Sequence, residues 1–348
     1  MARHSDYQPM KRFIDKFPDI SGNDVNGLGE ESVRRPSRFF WHPRDRQTHG
    51  ALQKEVIDYH LQSAEVKKWF SPTAPGGRGP DAVPQSEEIV DKAAAEWSGI
   101  VRDFALANES DLVGITEIDP MWIYEGYEIN EPRVIIVGIV MDYAELAEAP
   151  SSFDNPRTAV LVAKEYNRAA RACRVLRNFI LSQGYFAKAF QGPYATALNF
   201  LPAAIAAGLG ELGKHGSLIN RKYGSSLRLS AVTTNMPLTT DSPDEFGADD
   251  FCMRCQACAN ACPPDAIFKE KQLVRGVEKW YVNFDKCIPY FGETLGCALC
   301  LAQCPWSRPG NSTNLIQKLQ KRQSRLLRRA QNRLGADCPR GRYGTSRG

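Results

Sequence analysis

No stretch of this 348-residue chain approaches the eighteen or so consecutive apolar residues needed to cross a bilayer. Met1 to Ile20 has neither an apolar signal core nor a twin-arginine segment ahead of one, so no membrane anchor is predicted and a cytoplasmic location is the expectation. Charge of one sign is also scarce, with 44 Lys and Arg against 40 Asp and Glu leaving +4. Even that excess is local. From Asn311 to Gly348 ten Lys or Arg face the single acid Asp337, so the tail supplies +9 and the rest of the chain −5. No nucleic-acid partner is expected, and Lys318 to Arg333, with Leu315, Leu319, Leu326 and Leu327 unevenly spaced, reads as a solvated helix or a disordered end. Length suggests two or three domains, and 43% hydrophobic residues suffice for a packed core.

Cysteine is absent from most of the chain and concentrated near its end. Eight of the ten cysteines form two runs, Cys252-Cys255-Cys258-Cys262 and Cys287-Cys297-Cys300-Cys304. The first is the C-x-x-C-x-x-C-x-x-x-C-P run of bacterial ferredoxins, in which three close thiolates hold one cubane and the fourth reaches to the other. Cys252, Cys255, Cys258 and Cys304 are thus predicted to bind one [4Fe-4S] cluster, and Cys262, Cys287, Cys297 and Cys300 the second. Structural zinc also favours paired C-x-x-C, but rarely this spacing followed twice by C-P. A disulfide framework would not gather its cysteines within about fifty residues of a long chain. Cys173, among Ala and Leu at a helical position, reads as a small buried residue, and Cys338 is left without a role. Apart from this pair of runs no internal repeat is evident.

Residues 1–84, rich in Pro, Arg and aromatics, read as an extension wrapping a core formed elsewhere, and Ser71 to Pro84 as a linker. A helix is predicted to open at Ser86 and run through Ile89, Trp97 and Phe104. Leu112 to Ile118 and Val134 to Met141 read as buried strands. A long helix over Asn155 to Ser182 follows, then a strand over Tyr185 to Phe190, a helix over Ala203 to Leu209 and a strand over Ser226 to Leu238. The succession predicts an open α/β domain over residues 85–245, an iron-sulfur unit over 246–310 and a basic tail over 311–348.

Such a core followed directly by a dicluster unit resembles the corrinoid-dependent reductive dehalogenases. The likeness covers about residues 110–308 and is carried by Val113-Gly114-Ile115, Trp122, Tyr124, Tyr166, Gly184-Tyr185, the segment from Ala207 to Ile219, Lys222-Tyr223-Gly224, Arg228, Leu238 and Cys304-Pro305-Trp306. It implies an α+β architecture, in which a nitroreductase-like core binds base-off cobalamin and a bacterial-ferredoxin-like unit with two [4Fe-4S] clusters is appended. The implied activity replaces halogen by hydrogen on an organohalide. In that family the clusters relay electrons singly to the cobalt, and reduced Co(I) does the hard chemistry. The protein's task is then to hold the cobalt over the carbon–halogen bond, exclude water and deliver a proton.

The resemblance places the proton donor at Tyr166 and its cationic partner at Arg228; a phenol is a weak acid, and a fixed cation that stabilises phenolate improves it. By themselves, Tyr166 reads as a helix residue packed on the sheet and Arg228 as a surface or ion-paired residue. Gly208, Gly210, Gly213 and Gly216 offer backbone that can approach a large flat ring. Glu211, Lys214, His215, Ser217, Tyr223 and Gly224 complete the expected cofactor contacts. Gly208, Gly210 and Gly213 formally spell G-x-G-x-x-G, but no strand precedes them, so a dinucleotide site is not expected. His215 is not assigned as an axial ligand, because the family leaves that cobalt face unliganded. Phe39, Trp41, Trp122, Tyr124 and Trp306 are the candidates for an aromatic substrate wall.

The missing export signal points to the cytosolic catabolic branch, whose substrates tend to be halogenated phenols or hydroxybenzoates. About forty residues follow Cys304, without cysteines for a [2Fe-2S] reductase domain. A separate ferredoxin, flavodoxin or NAD(P)H-linked reductase is therefore implied. A second reading within the superfamily is epoxyqueuosine reductase, whose catalytic carboxylic acid just before a tyrosine is imitated by Glu165-Tyr166. A third, from another class, is an electron-transfer iron-sulfur protein without chemistry of its own, which would bind no corrinoid.

Overall fold

The computed structural model describes residues 6–71, 73–192 and 197–336, with backbone alone at 323 and 326–336. Its centre is a sheet of β1 (Leu112–Glu117), β2 (Arg133–Val140), β3 (Ala187–Gln191) and β6 (Leu227–Thr234) in the order β1-β2-β6-β3. Every pairing is antiparallel. Two short hairpins complete the set, β4 (Glu211–Leu212) with β5 (Leu218–Ile219) and β7 (Gln272–Val274) with β8 (Val277–Lys279).

The near-continuous apolar run of β2 is explained by its position, since a strand covered on both faces has no polar side. Ile135, Val137 and Ile139 face the long helix Arg157–Ser182 and the helix Ala94–Ala107. Val134 and Ile136 face the helix Phe200–Ala206. Small residues on the long helix, among them Ala169, Ala172 and Cys173, lie fully buried against the sheet. Cys173 is thus a core residue as expected, and burial pushes its thiol up to about 11.

Two expectations are corrected. The sheet is antiparallel throughout, which fits the expected α+β class but not the open α/β domain read from the alternation of elements over residues 85–245, because alternation in sequence does not fix strand direction. The helix expected from Ser86 begins only at Ala94. Before it the chain runs along the end of the long helix, where Ser86 and Val90 donate to the carbonyls of Leu181 and Gln183. Those carbonyls belong to a helix end that has no further turn to satisfy them, and the chain follows them in place of coiling.

Residues 248–304 form the cysteine-bearing unit, with short helices Ala248–Arg254, Ala257–Ala261, Phe284–Glu293 and Leu299–Ala302 around the β7–β8 hairpin. The N-terminal segment packs on this unit and on the start of the long helix, where Phe13, Phe39, Leu52, Val56 and Val66 share a core with Val160, Ile288 and Leu295. The helix Asn311–Ala336 begins docked, its Leu315, Ile316 and Leu319 packing on Phe246, Phe251 and Trp306. Residues 337–348, with Cys338, lie outside the described residues. Among the described residues no helix is long and apolar enough to cross a membrane.

His60 lies in the inner shell of this packing, 8% exposed, its Nε2 3.0 Å from the Gly292 carbonyl oxygen. Burial lowers its pKa to about 4, so the folded protein takes up this proton less readily than the unfolded chain, where the value is near 6.5. Stability from His60 is therefore complete above about pH 6.5 and is lost as pH falls towards 4, by up to about 3 kcal/mol. Urea unfolding across that range should show a falling midpoint, with the fall reduced in His60→Gln.

Candidate active site

A cavity of about 1220 Å³ opens where the sheet end, the cysteine-bearing unit and the N-terminal segment meet. Strand alternation sets Arg228 on the side of β6 that faces the long helix, the side on which Ser230 donates to the Ala169 carbonyl, 2.9 Å away. Tyr166 comes from that helix. Both side chains line the cavity, and the Arg228 guanidinium carbon lies 5.3 Å from the centre of the Tyr166 ring. Gly192 gives the phenol its room, since a Cβ there would stand 2.5 Å from Tyr166 Cε1. Arg228 Nη1 donates to the Leu227 carbonyl, 3.0 Å away, whereas its buried Nε has no partner among the described residues. A buried guanidinium N–H left open beside a cavity is a group waiting for an acceptor.

Glu165 does not join them. It turns to Arg168, whose Nη1 is 3.6 Å away and which also binds Asp111; burial raises its pKa and Arg168 partly offsets the rise. The adjacent carboxyl that favoured epoxyqueuosine reduction is thus absent from the cavity wall.

The cysteine thiols act on one another across the two runs. Burial first, then the neighbouring thiols of Cys304, Cys258 and Cys255, push Cys252 up to about 12. Burial, then Cys297 and Cys262, do the same for Cys287. Cys300, partly exposed on the cavity wall, is also raised, by burial first and then by Cys297, Cys287, Cys258 and Cys262. Thiols of the two runs are thereby neighbours, Cys304 beside Cys252 and Cys262 beside Cys287. Among the described residues no group of three ligating side chains is spaced to hold a single metal ion. Cys262, Cys287, Cys297 and Cys300 border the cavity; the other four do not.

The glycine-rich segment contributes less than its composition suggests. Of the expected cofactor contacts only His215, Gly216 and Ser217 reach the cavity. At Gly208, Gly210 and Gly213 an added Cβ would strike Ser242 O, Ile219 O and His215 Cε1 at 2.6, 2.1 and 2.6 Å, so these glycines serve packing within the chain. Glu211 is a helix cap: its carboxylate accepts the N–H groups of Phe246, Gly247, Ala248 and Asp249 at the start of the helix that carries Cys252. Lys214, 1% exposed, donates to the Lys269 carbonyl. Tyr223 packs with the core beneath the sheet. Gly224, at φ +59°, abuts the backbone of Trp306, 2.3 Å from an added Cβ. Gly224→Ala should therefore cost at least about 2 kcal/mol, read as a lower urea midpoint.

His215 accepts the Ser217 N–H at Nδ1 (3.2 Å), which leaves Nε2 to donate to Ser225 Oγ (2.9 Å). Both ring nitrogens are engaged, and burial lowers the pKa to about 4, so the ring is a neutral wall and no axial ligand. Of the five aromatic candidates, Trp41 and Trp122 line the cavity. Phe39 is spent on Phe284, 4.5 Å between centroids, Tyr124 on His42 at 4.4 Å, and Trp306 on Phe246 and Phe251. Sequence reasoning missed Arg275 and Lys279, which also line the cavity. An Arg-Gly pair between valines signals a hairpin turn, but nothing in it signals that the cations face inward.

The chain matches the 4Fe-4S dicluster domain family over residues 251–307. It is 31% identical over 212 residues to a tetrachloroethene reductive dehalogenase of Dehalobacter restrictus, a match covering 57% of this chain and 37% of that protein. The chain is similar to the reductive dehalogenases. A shorter match, 35% over 120 residues, links 29% of it to 37% of the epoxyqueuosine reductase of Synechocystis sp.. Among solved structures, a catabolic reductive dehalogenase in complex with 3-bromo-4-hydroxybenzoic acid shares the fold, with a TM-score of 0.65 at 20% identity over 87% of this chain and 46% of that one. The chain spans less than half the length of these dehalogenases.

The cavity fits the cofactor these relatives imply. Its volume exceeds the roughly 300–1,000 Å³ of ordinary small-molecule sites, leaving room for a macrocycle and a small substrate. Gly216 has only Val282 Cγ2, at 3.3 Å, near its missing Cβ on this wall, and Arg228 Nε is unmet. A bound metal would replace the protons of these clustered thiols, and the C-x-x-C-x-x-C-x-x-x-C-P spacing of the first run suits [4Fe-4S] ligation.

Proposed function

We propose that this chain is the catalytic part of a corrinoid-dependent reductive dehalogenase, built on a nitroreductase-like core. The carrying observation is that Tyr166 and Arg228, distant in sequence, meet on the wall of a cavity that extends to four cysteines of one cluster set. A reduced, base-off corrinoid supplies the metal nucleophile and two [4Fe-4S] clusters the one-electron reduction. Replacing halogen by hydrogen consumes two electrons and one proton and releases halide. Tyr166 Oη delivers the proton to the carbon that loses halogen. Arg228, over the ring of Tyr166, stabilises the phenolate left behind, and its open Nε–H donates to an anionic oxygen of the substrate. Trp41 and Trp122 exclude water and stack on a planar ring. A halogenated phenol or hydroxybenzoate meets these demands, with electrons from a separate ferredoxin, flavodoxin or NAD(P)H-linked reductase.

The test is halide release by the anaerobically reconstituted protein with a chemical reductant, on bromo- and chlorophenols beside haloalkenes. Corrinoid-dependent release, greatest from the phenols, is expected. Release from haloalkenes alone would overturn the substrate class, and none from protein loaded with cobalt and both clusters would overturn the activity.

A further inference from the structure

Arg275 and Lys279, on the β7–β8 hairpin, line the same cavity as Tyr166 and Arg228. The groups acting most on Arg275 are Arg34, Tyr124, Tyr281 and Glu30, and Arg275 in turn acts on Lys279. The local carboxylates are already engaged, since Glu30 and Glu125 both pair with Arg34. Neither Arg275 nor Lys279 has an ion-pair partner among the described residues. Arg275 gives one N–H to the Asn26 carbonyl, 2.5 Å away, and the Lys279 ammonium has no hydrogen bond among the described residues. Burial, then Arg275, lower the pKa of Lys279 to about 8, as expected for a cation crowded by another and short of counter-charge.

The hairpin holds these cations rigidly. Gly29 N–H donates to the Leu273 carbonyl, Arg275 N–H to that of Gly27 and Gly276 N–H to that of Glu30. Arg275 itself sits at φ +49°, a region that favours glycine or asparagine. Uncompensated positive charge, fixed in a half-buried wall, is satisfied by an oxyanion, and the fork of an arginine beside the point charge of a lysine suits phosphate. The corrinoid reading, on which this inference rests, brings one phosphate into the cavity away from the reacting carbon. We propose that Arg275 and Lys279 bind the phosphodiester group of the corrinoid's nucleotide tail and so fix the cofactor's periphery, while Arg228 serves the substrate.

The experiment compares cobalamin with cobinamide, the same ring without the nucleotide tail and its phosphodiester, by anaerobic absorbance titration of cluster-loaded protein. Lys279→Gln breaks no hydrogen bond seen here and should weaken cobalamin about tenfold or more, leaving cobinamide unchanged. Arg275→Gln, with a thermal melt to check the lost Asn26 contact, should show the same selectivity. Equal loss for both ligands, or no loss for either, would overturn the assignment while leaving corrinoid binding intact. Failure of the unaltered protein to bind either ligand would instead remove the corrinoid reading and this inference with it. Inorganic phosphate titrated calorimetrically into cobalamin-loaded protein should give no Lys279-dependent heat; such heat would assign the site to free phosphate and overturn the tail assignment.

Discussion

Tyr166→Phe is expected to lower turnover by about a hundredfold or more while both cofactors stay bound, the effect of removing a general acid. The substitution keeps the ring and deletes one oxygen. The contact between the Arg228 guanidinium and the ring face, and the space provided by Gly192, do not depend on that oxygen. Absorbance of corrinoid and clusters should therefore match the unaltered protein, and only halide release should fall. Arg228→Lys is the companion: it keeps charge but loses the open Nε, so it should raise KM for a phenolate more than it lowers kcat. Undiminished turnover in Tyr166→Phe would end the proton-donor assignment.

The second large effect is expected at Cys262, which belongs to the first run by sequence and to the second set by position. Its closest thiols include Cys287, Cys297 and Cys300. Cys262→Ser should therefore abolish the same electron paramagnetic resonance signal as Cys300→Ser, and Cys304→Ser the same signal as Cys252→Ser. Reductant-driven halide release should be largely lost in all four. If Cys262→Ser and Cys252→Ser removed one common signal, the exchange between runs would be wrong.

How far the chain was legible follows from the kind of signal each part carries. Apolar runs at Leu112 and Val134 showed buried strands because a covered strand cannot hide its composition. Strand direction and order were not legible, because they depend on which faces the helices cover. The dicluster unit was readable from the cysteine spacing, since cluster ligands sit on short local turns, and residues 251–307 match a 4Fe-4S dicluster domain. The glycines at 208, 210 and 213 misled because close chain packing and close cofactor approach call for the same missing side chain. Glu211 misled for a related reason: a carboxylate at a helix start looks in sequence like any polar neighbour of a binding loop. Tyr166 and Arg228 were identified only through the family resemblance, and their proximity required the fold.

The N-terminal segment has consequences for the order of assembly. Its partners are made last: Gly22 N–H and Ser21 Oγ donate to Asp285, Asn23 donates to Asn283, Phe39 lies on Phe284, and His60 meets the Gly292 carbonyl. During vectorial synthesis these particular contacts cannot close until the cysteine-bearing unit has left the ribosome, although the segment can already meet Val160 and the carbonyls of Ile123 and Tyr124. Contacts so distant in sequence form late, after the local ones. The contacts to Asn283, Asp285 and Gly292 thus form late, and the side of the cavity that they brace is completed only with them.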